Sequence, residues 1–220
     1  MVNIASIDTT GVYFKLDGSN GTIEMPPDYN WVAIPEFNGH FDGNEQTMSG
    51  LVMEYWNDYP YMDEYTYYGL FGINNGEISN LKVEADIYIC DISSSYVFAG
   101  VIVGENNGKI ENCTTENYIG NYGDNMIYLE TFNSPMTGNR AIEAYLSGLT
   151  GYNSQTGEII DCETTGDINY WYYQPTAFYV EDDLAGRNDG IIERNRKLIP
   201  GKPRSTAKFG KMVRIPRNQR

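Results

Sequence analysis

The sequence predicts an all-β fold in which short strands stack as a parallel β-solenoid. A sequence motif at Tyr68–Val83, Y-G-L-F-G-I-N-N-G-E-I-S-N-L-K-V, is repeated at residues 99–115, 148–164 and 184–195. Each copy has short apolar runs on both sides of a turn rich in Asn and Gly, and no long run of helical period separates the copies. The 23 glycines and 19 tyrosines among 220 residues are also typical of a turn-rich β protein.

The spacing of the repeats indicates a stacked array. When the copies are aligned, the equivalent glycines are Gly72, Gly104, Gly151 and Gly186, which are 32, 47 and 35 residues apart. In such a stack, equivalent residues of successive coils lie about 4.8 Å apart and form columns. The expected internal columns are Ile78, Ile110, Ile159 and Ile191, and Leu81, Cys113 and Cys162. The alternative is an antiparallel sandwich whose turns merely look alike.

The chain reads as one domain, residues 1–199, followed by a separate arm, residues 200–220. Residues 1–30 are expected to form a starting coil, with strands at residues 12–16 and 22–25 before Pro26-Pro27. The next coil is expected at residues 31–35 and 37–53, and terminal coils of an array are usually atypical. The turn Asn74-Asn75-Gly76 consists of residues that tolerate positive φ, which the sequence therefore predicts there.

Two consecutive phrases carry a family resemblance. The run F-N-G-H-F-D-G-N-E-Q-T-M-S-G-L-V-M, at residues 37–53, leads into Y-G-L-F-G-I-N-N-G-E-I-S-N-L-K-V. Together they resemble the GLUG-repeat proteins, which are bacterial surface and adhesin-like proteins. The resemblance covers roughly residues 31–195 and implies a right-handed parallel β-helix in a surface or adhesive setting. It carries over no catalytic residue, and Glu45 stands where the family prefers glycine.

Two segments interrupt the repeat and are predicted to be side loops: residues 54–67, dense in tyrosine and acid, and residues 120–144. A second aromatic cluster follows at residues 170–173. Such side chains can stack on sugar rings, form an assembly surface, or fold back over the solenoid flank. The predicted aromatic surface, for an interface or a ligand, consists of Tyr55, Trp56, Tyr59, Tyr61, Trp171, Tyr172 and Tyr173.

Charge is divided sharply along the chain. The last 34 residues hold 11 of the 15 basic residues and carry a net charge of +9. Because the whole chain carries −15, residues 1–186 carry −24. The arm could dock on the acidic body of a neighbouring copy, remain a plain tail, or bind nucleic acid or another polyanion. The first is favoured, because an acidic body repels a polyanion. The predicted assembly residues are Lys202, Arg204, Lys208, Lys211, Arg214, Arg217 and Arg220.

No catalytic, metal or cofactor site is predicted. The three cysteines form no C-x-x-C and there is one histidine, His40, which argues against zinc. Cys113 and Cys162 are expected to be buried ladder residues, with a disulfide between them as an alternative. Acid clusters at residues 58–64 and 181–183, and possible calcium ligands at residues 42–44 and 124–125, are explained equally well by an acidic surface.

The sequence therefore favours a non-enzymatic structural protein that is self-assembling or surface-displayed, such as a filament, virion or adhesin-like subunit. Its arm would contact a neighbouring subunit of a homo-oligomer or filament. The alternative is a carbohydrate-binding or polysaccharide-cleaving module, and a glycan or host surface is a further possible partner. No apolar run is long enough to span a membrane, and no signal peptide is visible, so the expected extracellular location rests on the resemblance.

Overall fold

The structure, a computed structural model, describes residues 7–17, 21–26, 29–56, 65–90, 96–116, 127–131, 142–165, 168–172, 176–179 and 184–193. All the regular elements in these ranges are strands. They are β1 (Tyr13–Lys15), β2 (Thr22–Glu24), β3 (Ile34–Phe37), β4 (His40–Trp56), β5 (Tyr65–Tyr68), β6 (Phe71–Asn74), β7 (Glu77–Cys90), β8 (Tyr96–Gly100), β9 (Val103–Asn106), β10 (Lys109–Glu111), β11 (Thr114–Glu116), β12 (Ile127–Thr131), β13 (Ile142–Ser147), β14 (Thr150–Asn153), β15 (Glu158–Ile160), β16 (Glu163–Thr165), β17 (Ile168–Tyr172), β18 (Thr176–Tyr179), β19 (Ala185–Asn188) and β20 (Ile191–Glu193).

These strands form three sheets, and every described strand pair is parallel. Sheet A has the order β1-β4-β7-β10-β15-β20, with β2, β11, β12, β16 and β17 paired alongside. Sheet B has the order β3-β6-β9-β14-β19, and sheet C the order β5-β8-β13-β18. The prediction of an all-β protein with parallel strands is therefore confirmed. Residues 54–56, 65–67, 127–131 and 142–144, which were predicted to belong to side loops, lie in strands.

The chain visits the three sheets in a constant order. From β5 onward it passes from sheet C to sheet B to sheet A four times, and each strand pairs with the equivalent strand of the next repeat. A parallel pair requires a crossover between its strands. Here the strands of the other two sheets provide that crossover, so no helix is needed.

The predicted isoleucine column is confirmed with one correction. Ile110 is in register with Ile78 on one side and Ile159 on the other, and all three are fully buried. Ile159 is then followed by Ile192, whereas Ile191 pairs with Glu158 and is 49% exposed. The prediction of Ile191 was wrong because the inward residue lies two positions after the turn glycine, here Gly190.

Positive φ occurs at a different corner from the one predicted. Asn80, Asn112 and Asp161 have φ of 54°, 51° and 52° at the bend that follows the isoleucine strand. The turn at residues 74–76 instead closes through a side chain, since Asn74 Oδ1 accepts a bond from Gly76 N at 3.1 Å. Glu45, at the position where GLUG repeats prefer glycine, also has positive φ, at 57°.

A buried column of asparagines runs beside the apolar core along sheet B. Asn74 Nδ2 donates to Asn106 Oδ1 at 2.8 Å, Asn106 Nδ2 donates to Asn153 Oδ1 at 2.9 Å, and Asn153 Nδ2 donates to Asn188 Oδ1 at 2.8 Å. The first three residues are fully buried. Because a shift of register would leave buried amides unpaired, this asparagine ladder fixes the alignment of successive repeats.

Phenylalanines close the N-terminal end of the stack. Phe37 takes the position of the ladder asparagine above Asn74, and its ring lies 4.9 Å from Phe71 and 6.3 Å from Phe41. Phe37 and Phe71 are fully buried. The polar ladder thus ends against an apolar cluster, which marks this end of the stack as different from the repeating interior.

Candidate functional site

The predicted arm lies outside the described residues, so the structure gives no position for Lys202, Arg204, Lys208, Lys211, Arg214, Arg217 or Arg220. Tyr59, Tyr61 and Tyr173 lie outside them as well, as do the acid clusters at residues 58–64 and 181–183 and the possible calcium ligands at residues 124–125.

The other predicted aromatic residues come to the same end of sheet A. Trp56 is in register with Cys90, which pairs with Glu130, which in turn pairs with Trp171. With neighbouring strands about 4.8 Å apart, the backbones of the two tryptophans are roughly 14 Å apart. Tyr55 and Tyr172 flank these positions on the same two strands. The backbone register thus brings these positions to neighbouring strands, although they are more than 100 residues apart in the chain, and the aromatic surface they would form stays a prediction.

A second aromatic surface lies where the outer faces of sheets B and C meet. We call it the aromatic elbow; its members are Tyr67, Phe98, Tyr145 and Tyr152. The Phe98 ring is stacked on Tyr67 at 5.5 Å and on Tyr145 at 5.1 Å, and lies 5.5 Å from Tyr152 of sheet B. Phe98 faces outward, yet only 6% of it is exposed because these rings enclose it.

The repeated glycines make the elbow possible. At Gly104 an added Cβ would lie 2.8 Å from Tyr67 Cβ, and at Gly151 it would lie 2.7 Å from the Phe98 carbonyl carbon. Neither glycine has positive φ. The repeat therefore requires glycine here for close approach between a sheet B strand and a sheet C strand, and not for an unusual backbone conformation.

One guanidinium closes the elbow. Arg187 Cζ lies 5.2 Å from the Tyr152 ring and 6.0 Å from the Tyr145 ring, and Arg187 pairs with Asp189 at 2.8 Å. Burial, together with a hydrogen bond to Glu143, raises the pKa of Tyr145 to about 12. The ring faces are covered by one another and by Arg187, so the elbow joins the two sheets and offers little open ring surface to a sugar.

Asp42 fastens the first strand to the stack. Its carboxylate accepts hydrogen bonds from Asn80 Nδ2 at 3.0 Å, from Asn44 N at 2.9 Å and from the Tyr13 hydroxyl at 2.8 Å, and Lys15 Nζ lies 3.5 Å away. These contacts, with Asn80 the strongest, hold the pKa of Asp42 far below its ordinary value of 3.8. The carboxylate predicted as a possible calcium ligand is thus occupied by protein donors and stands beside a cation.

We expect Asp42→Asn to lower the free energy of unfolding by about 2 kcal/mol at neutral pH, because charge-assisted bonds from β1 and from Asn80 are lost. The folded-state pKa of Asp42 is depressed, so its stabilisation is present above the unfolded-state pKa and is lost as pH falls through and below about 4. Urea unfolding at neutral pH and at about pH 2 should therefore show a smaller pH dependence in the variant. An equal pH dependence in both proteins would contradict this role.

The ladder cysteines are confirmed as buried. Cys113 and Cys162 occupy successive repeats beneath Leu81, and both are free thiols. Burial raises the pKa of the Cys113 thiol, so it remains protonated and acts as a small apolar core residue. The disulfide alternative is not formed in this structure.

Within the described ranges, no group of three or more His, Cys, Asp or Glu side chains is arranged to hold a metal ion. The same ranges contain no apolar helix of the length needed to cross a bilayer.

Comparison with known proteins gives a sparse result. No family model matches the chain, and no curated protein matches it. A similar solved structure is that of a candidate immunoglobulin A1 protease from Bacteroides ovatus, with 15% sequence identity and a TM-score of 0.41. The match covers 91% of this chain and 76% of that one.

Proposed function

We propose that this chain is a non-enzymatic structural protein, a right-handed parallel β-helix that is surface-displayed or self-assembling and whose basic arm contacts a neighbouring subunit. One observation carries the proposal: equivalent strands of successive repeats pair in parallel and in register along each sheet. Such a stack has two ends at which strand edges face outward, and an exposed edge is a template for another chain. Apolar side chains are exposed at both ends, with Val32 at 72% and Ile191 at 49%.

The charge of the body supports a cationic arm as its partner. Acidic side chains line the outer face of sheet A, and Lys82 and Lys109 lie among them, Lys82 paired with Glu84 at 3.0 Å and Lys109 with Glu111 at 2.7 Å. Each basic residue in the described part of the chain is already in an ion pair with an acid; these residues are Lys15, Lys82, Lys109 and Arg187. The excess negative charge would therefore attract the arm, which carries most of the basic residues.

The surface setting in this proposal rests on the resemblance to GLUG-repeat proteins. The absence of catalysis rests on it too, because the positions of this chain that match the family are glycines, ladder aliphatics and turn residues. The alternative of a carbohydrate-binding module gains no support from the aromatic elbow, since its ring faces are covered.

The arm is tested by removing its charge. With glutamine at Lys202, Arg204, Lys208, Lys211, Arg214, Arg217 and Arg220, we expect assemblies seen by light scattering at low salt to dissociate to single subunits. The unmodified protein should dissociate as salt rises toward about 1 M, where charges are screened beyond about 3 Å. A chain with the same arm residues in scrambled order should still assemble, since attraction of this kind depends on charge and not on sequence. Assemblies that persist without the arm's charge would contradict the proposed contact between the arm and a neighbouring subunit.

A further inference from the structure

The strand order fixes how the two ends of the stack relate to each other. Strands β3, β6, β9, β14 and β19 of sheet B are each followed directly in the chain by a strand of sheet A, respectively β4, β7, β10, β15 and β20. Sheet A has two extra strands at the N-terminal end, β1 and β2, which pair with successive segments of the outer edge of β4, β1 at His40–Asp42 and β2 at Thr47–Ser49. Sheet B therefore ends at β3, whereas sheet A ends one repeat further out, at β1 and β2.

The two ends of sheet B carry opposite charges in the same column. On the outer face, Glu36 is in register with Ile73, then Glu105, Tyr152 and finally Arg187. Extending the stack by one more repeat would place Glu36 of a second copy beside Arg187. Opposite unit charges on neighbouring strands, about 4.8 Å apart, attract each other. The attraction is stronger at a partly dehydrated interface than in bulk water.

A second column is complementary in its hydrogen bonds. Asn107 Nδ2 donates to Asn75 Oδ1 at 3.1 Å, and Asn75 Nδ2 donates to Asn38 Oδ1 at 3.0 Å, so each amide donates toward the N-terminal end of the stack. Asp189 occupies the last position of this column, since its backbone N donates to Asn153 O as Asn107 N does to Asn74 O. Asn38 of a second copy would therefore direct its amide donor at the Asp189 carboxylate.

From these two columns we infer that two copies associate end to end, with β19 and β20 of one copy docking on β3 and β4 of a second. In this contact β1 is a removable cap, because it covers part of the docking surface on β4. The inference rests on the proposed self-association and names its contact. If β19 pairs with β3 of the next copy, β20 reaches the edge of β4 that β1 occupies. β1 and β20, each three residues long, would therefore compete for the same edge of β4. The two copies can join only if β1 dissociates from that edge.

The wild-type chain is biased toward the capped state. On β4, β1 sets Lys15 against Asp42 and stacks Tyr13 on His40 at 4.8 Å. An incoming β20 in the same register would set Glu193 against Asp42, which is repulsive. The cap therefore protects an edge strand from unrestricted end-to-end pairing, and weakening it should release association.

The test uses full-length variants and sedimentation velocity over a range of concentrations. Glu36→Arg or Arg187→Glu alone should lower the association constant about tenfold or more, and the double exchange should restore most of it. Lys15→Glu, which weakens the cap, and Glu193→Lys, which meets Asp42 with a positive charge, should each raise it about tenfold. Glu158→Arg, the same charge change within the body, is the control. On association the Leu16 amide, bonded to Asp42 O at 3.0 Å, should lose protection from hydrogen exchange.

The outcomes separate this contact from the wider proposal. If the protein associates in a manner that depends on the arm's charge but ignores the exchanges at Glu36 and Arg187, the docking surface is wrong and the proposed function stands. If the wild type, Lys15→Glu and Glu193→Lys all remain single subunits at every concentration, both fall. A double exchange no better than its single variants would also overturn the inferred contact.

Discussion

Gly151→Ala is expected to cost about 3 kcal/mol of folding stability, a large share of the 5–15 kcal/mol typical of a domain. The new methyl group would lie 2.7 Å from the Phe98 carbonyl carbon and closer still to Ala99 N. Both atoms belong to the backbone of a buried strand, so no side chain can rotate away. Reduced freedom of the unfolded chain would recover at most about 1 kcal/mol.

Thermal and urea unfolding would measure this cost, with Gly11→Ala as the control. Gly11 has no atom within 4 Å of the added position, and its φ of 69° limits the cost to local strain of about 1 kcal/mol. The expected order is therefore wild type, then Gly11→Ala, then Gly151→Ala. Equal stability of the two variants would mean that sheets B and C do not approach as closely at Gly151 as the elbow requires.

The same glycine shows how far the sequence could be interpreted. The recurrence at Gly72, Gly104, Gly151 and Gly186 was enough to predict stacked repeats, because an array imposes identical steric demands at each repeat. It did not indicate why each repeat requires glycine at this position. Close approach and positive φ both select glycine, and the distinction depends on a neighbouring strand that lies a whole repeat away in the chain.

The aromatic elbow was missed for a related reason. Tyr67, Phe98 and Tyr145 occupy the same position of three strands, but the spacing of 31 and then 47 residues hides the column until the register is known. A signal was present, since each aromatic residue stands five or six residues before a glycine of the repeat frame, at Gly72, Gly104 and Gly151. The denser tyrosine clusters give a stronger signal in the sequence, although several of their residues lie outside the described ranges.

The asparagine ladder was visible in the sequence but was interpreted as turn chemistry. Asn74, Asn106, Asn153 and Asn188 each stand shortly before a turn glycine, and asparagine at such a place usually indicates a residue that tolerates positive φ. Here the amides point inward and bond along the stack. A turn requires only one suitable residue per repeat, whereas recurrence of the same amide in every copy indicates a column.

The ladder gives the second large effect. Asn106 is fully buried; its Oδ1 accepts from Asn74, and its Nδ2 donates to Asn153 Oδ1 at 2.9 Å and to Gly108 O at 3.2 Å. Asn106→Asp keeps the shape but replaces the donor by an acceptor oxygen facing other acceptors. We expect a loss of about 3 kcal/mol at neutral pH, because a buried charge is left among carbonyl oxygens.

Lowering the pH should reverse part of this loss, which distinguishes it from a packing defect. Burial raises the folded-state pKa of the new carboxyl, so the deficit is complete above that pKa and shrinks as pH falls toward the unfolded-state value near 4, where protonation restores one donor. The control is Asn107→Asp at the adjacent, partly exposed position, expected to cost less than about 0.5 kcal/mol. Unfolding curves for both variants at neutral and acidic pH provide the measurement, and a pH-independent deficit in Asn106→Asp would show that the ladder's hydrogen bonds do not hold the repeats in register.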